Sequence, residues 1–109
     1  MSNAFEVATL AWQPVRPEIT QGVFGKTLQD GKTKVVLTRV APGGAFKTHR
    51  DAYAHLFYFL SGEGIVRVGE TQFAARAGLV VQVAAGEAHA YENSGGDDLL
   101  LVSINFSTE

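Results

Sequence analysis

The chain reads as an all-β domain, an antiparallel sandwich or small barrel, on three observations. Short runs rich in β-branched and aromatic residues follow one another from Ile19 to Phe106. Turn-forming residues separate them, and many of the twelve glycines fall at their ends. No window of helical length carries a clean apolar period of about 3.6 residues, so the alternative of a helical or α/β domain has no support.

The elements follow in order. Met1 to Glu18 is mixed, with Phe5, Val7, Leu10 and Trp12 apolar and Pro14 and Pro17 interrupting any regular element. We read residues 1–18 as an N-terminal arm and 19–109 as a single barrel domain. Ile19 to Leu28 runs to Gln29-Asp30-Gly31, where Asp-Gly signals a hairpin. Lys34 to Val40 is expected to end at Pro42-Gly43-Gly44, and Leu56 to Leu60 at Ser61-Gly62-Glu63-Gly64. Ile65 to Val68 turns at Gly69-Glu70 into Thr71 to Ala75. Leu79 to Val83, Ala88 to Glu92 and Leu99 to Phe106 complete the set, with residues 93–98 as an exposed loop.

Composition narrows the function. A 46% apolar chain of 109 residues can bury one core without staples. A formal charge of −2, with 18% charged residues and no basic stripe, points away from nucleic acid and from anionic membrane surfaces. No apolar run approaches the ~18 residues of a membrane helix, and no basic-then-apolar leader is present. With cysteine absent, the expected location is the cytoplasm. Gly22-Val23-Phe24-Gly25 and Gly62-Glu63-Gly64 lack the helix that phosphate loops require.

The chemistry is concentrated in two stretches. All three histidines lie in Gly43–Gly62 and Gly78–Asn93. His49, Asp51 and His55 are spaced evenly, which puts them on one face of extended backbone if strand parity holds between them. His89 joins from the later stretch. A single histidine in an apolar strand is more often a hydrogen-bonded core residue than a ligand. Three imidazoles and a carboxylate together form a candidate site for a divalent transition metal. A Ser-His-Asp triad would have to borrow one of these residues.

The spacing Gly43-x5-His49-x-Asp51-x3-His55-x6-Gly62, followed by Gly78-x5-Ala84-x-Gly86-x2-His89-x3-Asn93, resembles the two motifs of the cupin family. Those motifs read G-x5-H-x-H-x3,4-E-x6-G and G-x5-P-x-G-x2-H-x3-N. Together with their spacer they cover nearly half of the chain. The resemblance implies an antiparallel jelly-roll β-barrel with one divalent transition metal (Fe, Mn, Ni, Cu or Zn) held by His49, Asp51, His55 and His89. It also implies a small-molecule substrate or ligand and a homodimer, with the arm and Trp12 either crossing to a partner subunit or covering their own barrel. Three positions depart from the pattern. Asp51 stands where the family has histidine, His55 where it has glutamate, and Ala84 where it has proline. The first two keep an inventory of three histidines and one carboxylate. The shorter Asp51 either ligates directly or hydrogen-bonds a ligand imidazole.

Parity describes the expected pocket. If His55 faces inward, so do Phe57 and Phe59, giving the site an aromatic wall, while Leu56, Tyr58 and Leu60 face the other way. Arg39, Arg50, Tyr53, Gln82 and Tyr91 are further polar candidates that nothing in the sequence ranks. Two function classes are open: a metal-dependent enzyme of dioxygenase, isomerase or lyase type acting on a small organic molecule, and a non-catalytic small-molecule-binding or sensing module.

Overall fold

The β-branched runs pair entirely antiparallel in the computed structural model, which describes residues 2–107. After a 3-10 turn at Val7–Thr9 come β1 (Gln13–Pro14), β2 (Thr20–Gln29), β3 (Thr33–His49), β4 (Ala54–Ser61) and β5 (Gly64–Val68). β6 (Thr71–Ala75), β7 (Val80–Val83), β8 (His89–Asn93) and β9 (Leu99–Phe106) follow. The strand order is β6-β5-β8-β3-β9-β4-β7, with β2 pairing both β1 and β3. This is the expected all-β antiparallel jelly-roll barrel. Among the described residues no helix is long and apolar enough to cross a membrane.

One strand organises the closure. β3 does not end at Pro42-Gly43-Gly44, where the sequence suggested a turn, but runs on to His49. Its first half pairs with β9 (Val40↔Leu99) and its second half with β8 (Ala45↔Glu92). The Pro-Gly-Gly segment is therefore a bend at which one strand leaves one leaf of the barrel and enters the other. The bend keeps β2 on its far side, with Val23 opposite Val40 and Gln21 opposite Ala45 across a bulge. Gly43 sits at φ 79°, in the left-handed region. Gly44 lies so close to its neighbours that a Cβ there would fall 2.7 Å from Gln21 O and 2.8 Å from Ala41 O.

The core lies between the two leaves. Val23, Val40, Phe57, Phe59, Val66, Leu99 and Leu101 are buried in one cluster. Parity along β4 behaves as the sequence implies: Phe57 and Phe59 are buried, whereas Tyr58 and Leu60 are exposed. Each fully buried Phe or Leu contributes about 1.5–3 kcal/mol relative to exposure, so this cluster holds the two leaves together.

The N-terminal segment lies on its own chain. Gln13 and Pro14 pair with Gly25 and Phe24, and Val15 N–H donates to Val23 O at 3.1 Å. The Trp12 ring has Lys26 Nζ 4.7 Å and the Arg39 guanidinium 4.9 Å from its centroid, a double cation–π contact. Lys26 Nζ also donates to Val7 O at 3.2 Å. These contacts fix the direction in which residues 15–18 leave the barrel, and that direction matters for the site.

Gly44→Ala is expected to destabilise the protein by about 1–3 kcal/mol, because the added methyl meets backbone oxygens that cannot rotate away. Denaturant unfolding checks this, and an unchanged midpoint would show that the bend tolerates a side chain.

Candidate metal centre

Topology brings the histidines together from three strands. His49 closes β3 and His89 opens β8, and the two are cross-strand partners with ring centroids 4.2 Å apart. His55 comes from the opposite leaf, on β4, with its ring 4.5 Å from that of His89. The even spacing of His49, Asp51 and His55 does not work through one extended strand, as the sequence suggested. Residues 50–53 form a connector between β3 and β4, and β9 lies between those strands in the sheet. The connector is tied down instead by the turn after β7. Gly86 N–H donates to Asp51 O at 2.7 Å and Arg50 Nη1 donates to Gly86 O at 2.6 Å. Gly86 adopts φ 81°. In the same turn Ala84 N–H donates to Glu87 Oε1 at 3.2 Å, a bond that a proline at this position could not make.

The hydrogen bonds on the outer ring nitrogens define the tautomers. His49 Nδ1 meets Lys47 O at 2.7 Å and His89 Nδ1 meets Glu87 O at 2.9 Å. A carbonyl oxygen only accepts, so both Nδ1 atoms carry a proton, and in the neutral form of each ring the bare Nε2 faces inward. His55 Nδ1 lies 2.8 Å from Asn105 Oδ1 and has the same polarity. All three Nε2 atoms converge on one oxygen. Asp51 Oδ2 is 2.9 Å from His55 Nε2, 3.1 Å from His49 Nε2 and 3.6 Å from His89 Nε2. The other carboxylate oxygen, Oδ1, accepts from Arg16 Nη1 at 2.9 Å.

This arrangement has too few protons for its acceptors. With all three rings neutral, three imidazole lone pairs face a carboxylate oxygen that is also only an acceptor; a proton on His55 Nε2 satisfies one of these contacts, at 2.9 Å, and His89 Nε2 is still buried without a hydrogen-bond partner. A proton taken up by an imidazole relieves part of the mismatch, and a divalent cation relieves all of it, since neutral imidazoles and a carboxylate can bind one ion together. His49, Asp51 and His89 form a group able to hold such an ion, each offering a ligand atom within 4.8 Å of the others. His55 shares the Asp51 oxygen from the opposite leaf.

The electrostatics favour ligand-ready protonation states. Burial pushes the Asp51 carboxyl up, but the Arg16 hydrogen bond and charge, joined by the charge of His49 and a hydrogen bond from His55 when those rings are protonated in the metal-free protein, outweigh it and hold the group below its ordinary 3.8. Burial holds His89 below its ordinary 6.5 against the opposing bond to Glu87. Tyr53 is raised by burial and by Asp51, so its hydroxyl remains a donor at neutral pH.

The four groups stand in a cavity of about 260 Å³. Its apolar wall is Phe46, Phe57 and Tyr91. Phe46 stacks on His49 at 4.4 Å, and Phe57 sits 5.4 Å from His55 and 6.0 Å from His89. Phe59, two residues beyond Phe57, is fully buried in the core cluster. Of the unranked polar candidates, Tyr53 and Tyr91 line the cavity, Arg50 ties the connector to Gly86, and Arg39 packs against Trp12. Gln82 lies on a separate shallow surface beside Val80.

Sequence reasoning missed three contributors. Phe46 is shifted into the site by a register irregularity between it and His49. Asn105 had a legible signal, because with Ser103 it is a polar residue on the inward parity of a strand that begins Leu99 and Leu101. Arg16 had none: it is 35 residues from Asp51 in a segment with no regular pattern.

The Cupin domain family matches residues 36–105, which is more than half of the chain, and the protein belongs to that family. No curated protein sequence matches. Among solved structures, a predicted oxalate decarboxylase from Thermotoga maritima superposes with a TM-score of 0.88 at 20% identity, covering 96% of this chain and 99% of the other. The polyketide cyclase RemF from Streptomyces resistomycificus gives 0.86 at 16% identity, with 96% and 79% covered. A cupin-2 domain from Rhodospirillum rubrum gives 0.77 at 20% identity, with 99% and 75% covered. At these identities the likeness is one of fold.

Acid should weaken the metal-free protein in two steps. The unfolded chain binds a proton at His89 near pH 6.5 while the folded chain resists it, so stability is lost as pH falls below about 6.5. Asp51, also depressed, adds a further loss below its ordinary 3.8. Thermal melts of metal-stripped protein between pH 7.5 and 5 are expected to show a falling midpoint, and a flat profile would contradict the protonation states given above.

Proposed function

We propose that the protein is a metal-dependent enzyme acting on a small organic molecule, with His49, Asp51, His55 and His89 as the metal ligands. The observation that carries this reading is the convergence of three Nε2 atoms on Asp51 Oδ2, with that of His89 buried and unpartnered, inside a cavity that can admit a ligand. A divalent ion bound there supplies Lewis acidity toward a substrate oxygen or a redox centre. The chain's own residues supply the rest. Asn105, Lys47 and Glu87 hold the imidazoles in ligand-ready tautomers, which is the role of outer hydrogen bonds at metal sites. Phe46 and Phe57 exclude water from one side and offer an apolar surface to substrate. Tyr53 offers a neutral hydroxyl donor in the same cavity. A predicted oxalate decarboxylase and a polyketide cyclase share the fold, so the reaction type has to come from the site and not from the barrel.

Metal content is the direct test. His89→Ala is expected to lower metal occupancy at limiting metal by ~10-fold or more, since a ligand of the set is lost. Asp51→Asn, which removes charge at nearly constant size, is expected to weaken metal binding as well if the carboxylate ligates. Undiminished stoichiometry in His89→Ala would remove the metal site and with it this reading. Screening the metal-loaded protein for turnover of small organic acids and carbonyl compounds, with oxygen uptake monitored, separates an enzyme from a non-catalytic binding module.

A homodimer forms the second part of the proposal. The outward parity of β3, β9 and β4 aligns Leu37 with Val102 and Tyr58, and Val35 with Ile104 and Leu56, an apolar surface on which Tyr58 is 43% exposed. Such a face on a barrel is suited to a second copy of the chain. Sedimentation is expected to give a dimer, weakened by Tyr58→Lys, and a monomer at high micromolar concentration would exclude it.

A further inference from the structure

We infer that Arg16 is a specificity-determining residue that anchors the carboxylate of the substrate, making the substrate class a small organic acid with an apolar body. The inference rests on the metal-centre reading above and adds a second recognition point beside it.

Three observations support it independently. The first is charge. Asp51 is the one acidic side chain on the cavity lining among the described residues, and the lining also carries Arg16 and Lys34. The cavity thus has one positive charge in excess even before a divalent ion is added, although the protein as a whole carries −2. A partly enclosed cavity with this balance favours an anion over a neutral ligand. Lys34 adds to this balance from β3. It pairs with Asn105, which pairs with His55, so it stands in one transverse row with the site.

The second observation is the geometry of the fork. Arg16 Nη1 is spent on Asp51 Oδ1 at 2.9 Å, and among the described residues no other hydrogen bond occupies the guanidinium. Its side chain is 43% exposed while that of Asp51 is 7% exposed. One edge therefore faces the carboxylate, and the remaining N–H donors have no protein hydrogen-bond partner among the described residues, on a part-exposed side chain that lines the cavity. A guanidinium presents donors in a planar fork suited to a second carboxylate. The guanidinium carbon also stands 5.9 Å from the centroid of the Phe46 ring, so the anion anchor and the apolar wall adjoin. A ligand with an acid group beside an apolar or aromatic body satisfies both.

The third observation is the backbone. Arg16 has φ 40°, and it is the one non-glycine among the described residues in the left-handed region. That conformation favours glycine or asparagine and is costly for a long side chain. The neighbouring chain enforces it, since Ile19 N–H and Thr20 Oγ1 donate to Arg16 O at 2.9 and 3.2 Å. A strained arginine at the mouth of a cavity, where asparagine would sit without strain, suggests that the side chain is required there.

The experiment measures binding of benzoate and of benzamide, which matches its shape without the charge, by titration calorimetry on zinc-loaded and on metal-free protein. Wild type is expected to bind benzoate at least tenfold more tightly than benzamide in both forms. Arg16→Gln and Arg16→Asn are expected to lose that preference while keeping zinc stoichiometry, and the asparagine variant suits the left-handed backbone and so guards against misfolding. Arg16→Lys, which keeps the charge and loses the fork, is expected to fall between. Equal affinities of wild type for the two probes, or an unchanged benzoate preference in the Arg16 variants, would overturn the inference. So would variants that lose benzoate only in step with zinc, because Arg16 would then merely position Asp51. Failure of the metal reading appears separately, as wild-type protein that takes up no zinc.

Discussion

The two oxygens of Asp51 are engaged by different parts of the chain, and the architecture of the site depends on that division. Oδ1 belongs to Arg16 of the N-terminal segment, and Oδ2 is shared among imidazoles from β3, β4 and β8. A side chain as short as aspartate can do this only if its backbone is brought to the imidazoles. The Gly86 N–H bond to Asp51 O and the Arg50 bond to Gly86 O provide that, by tying the β3–β4 connector to the turn that leads into His89. Reach lost in the side chain is recovered in the main chain. The carboxylate that replaces a histidine of the family pattern is thus integrated into the site and is not a loosely placed surface acid.

The same logic accounts for His55, which stands where the pattern has glutamate. A carboxylate there would carry its own charge, whereas an imidazole needs an acceptor on Nδ1 to turn its lone pair toward the site. Asn105, directly opposite His55 in the β4–β9 register, meets that need. The exchange between positions 51 and 55 is therefore accompanied by partners suited to the new residues: Arg16 for the relocated carboxylate and Asn105 for the relocated imidazole. Position 84 follows suit, because the N–H that a proline would lack is used to bond Glu87 Oε1.

What could be read in the sequence divides along a physical line. Period-two parity is a local property, so the inward set His55, Phe57 and Phe59 and the outward set Tyr58 and Leu60 were legible in the order of the residues alone. Motif spacing identified all four candidate ligands. The route of the backbone was not legible. Pro42-Gly43-Gly44 carries every mark of a chain reversal, yet it serves as a bend inside a strand, because β8 and β9 both offer partners to β3 and the chain gains more pairing by continuing. That distinction depends on strands distant in the chain. Arg16 was invisible for the same reason. Its role arises from where Trp12 and the β1–β2 pairing aim the segment that follows, and neither leaves a periodic trace in residues 13–18.

The N-terminal segment consequently belongs to the site as well as to the barrel wall. Gln13, Pro14, Val15 and Arg16 all line the cavity, so part of its wall is made by a stretch outside the two motifs. The motif stretches and the segment have different physical demands. The histidine-bearing strands hold several ring nitrogens close together, which requires a closed antiparallel frame and buried hydrogen bonds. The segment has only to present one guanidinium and a few neutral groups, which a short strand fixed by a cation-flanked tryptophan can do. A frame fixed by pairing and a wall fixed by surface contacts can change independently. On this fold, residues 13–15 can therefore change while the Asp51–imidazole cluster keeps its geometry, whereas Arg16, bonded to Asp51 Oδ1, belongs to both wall and cluster.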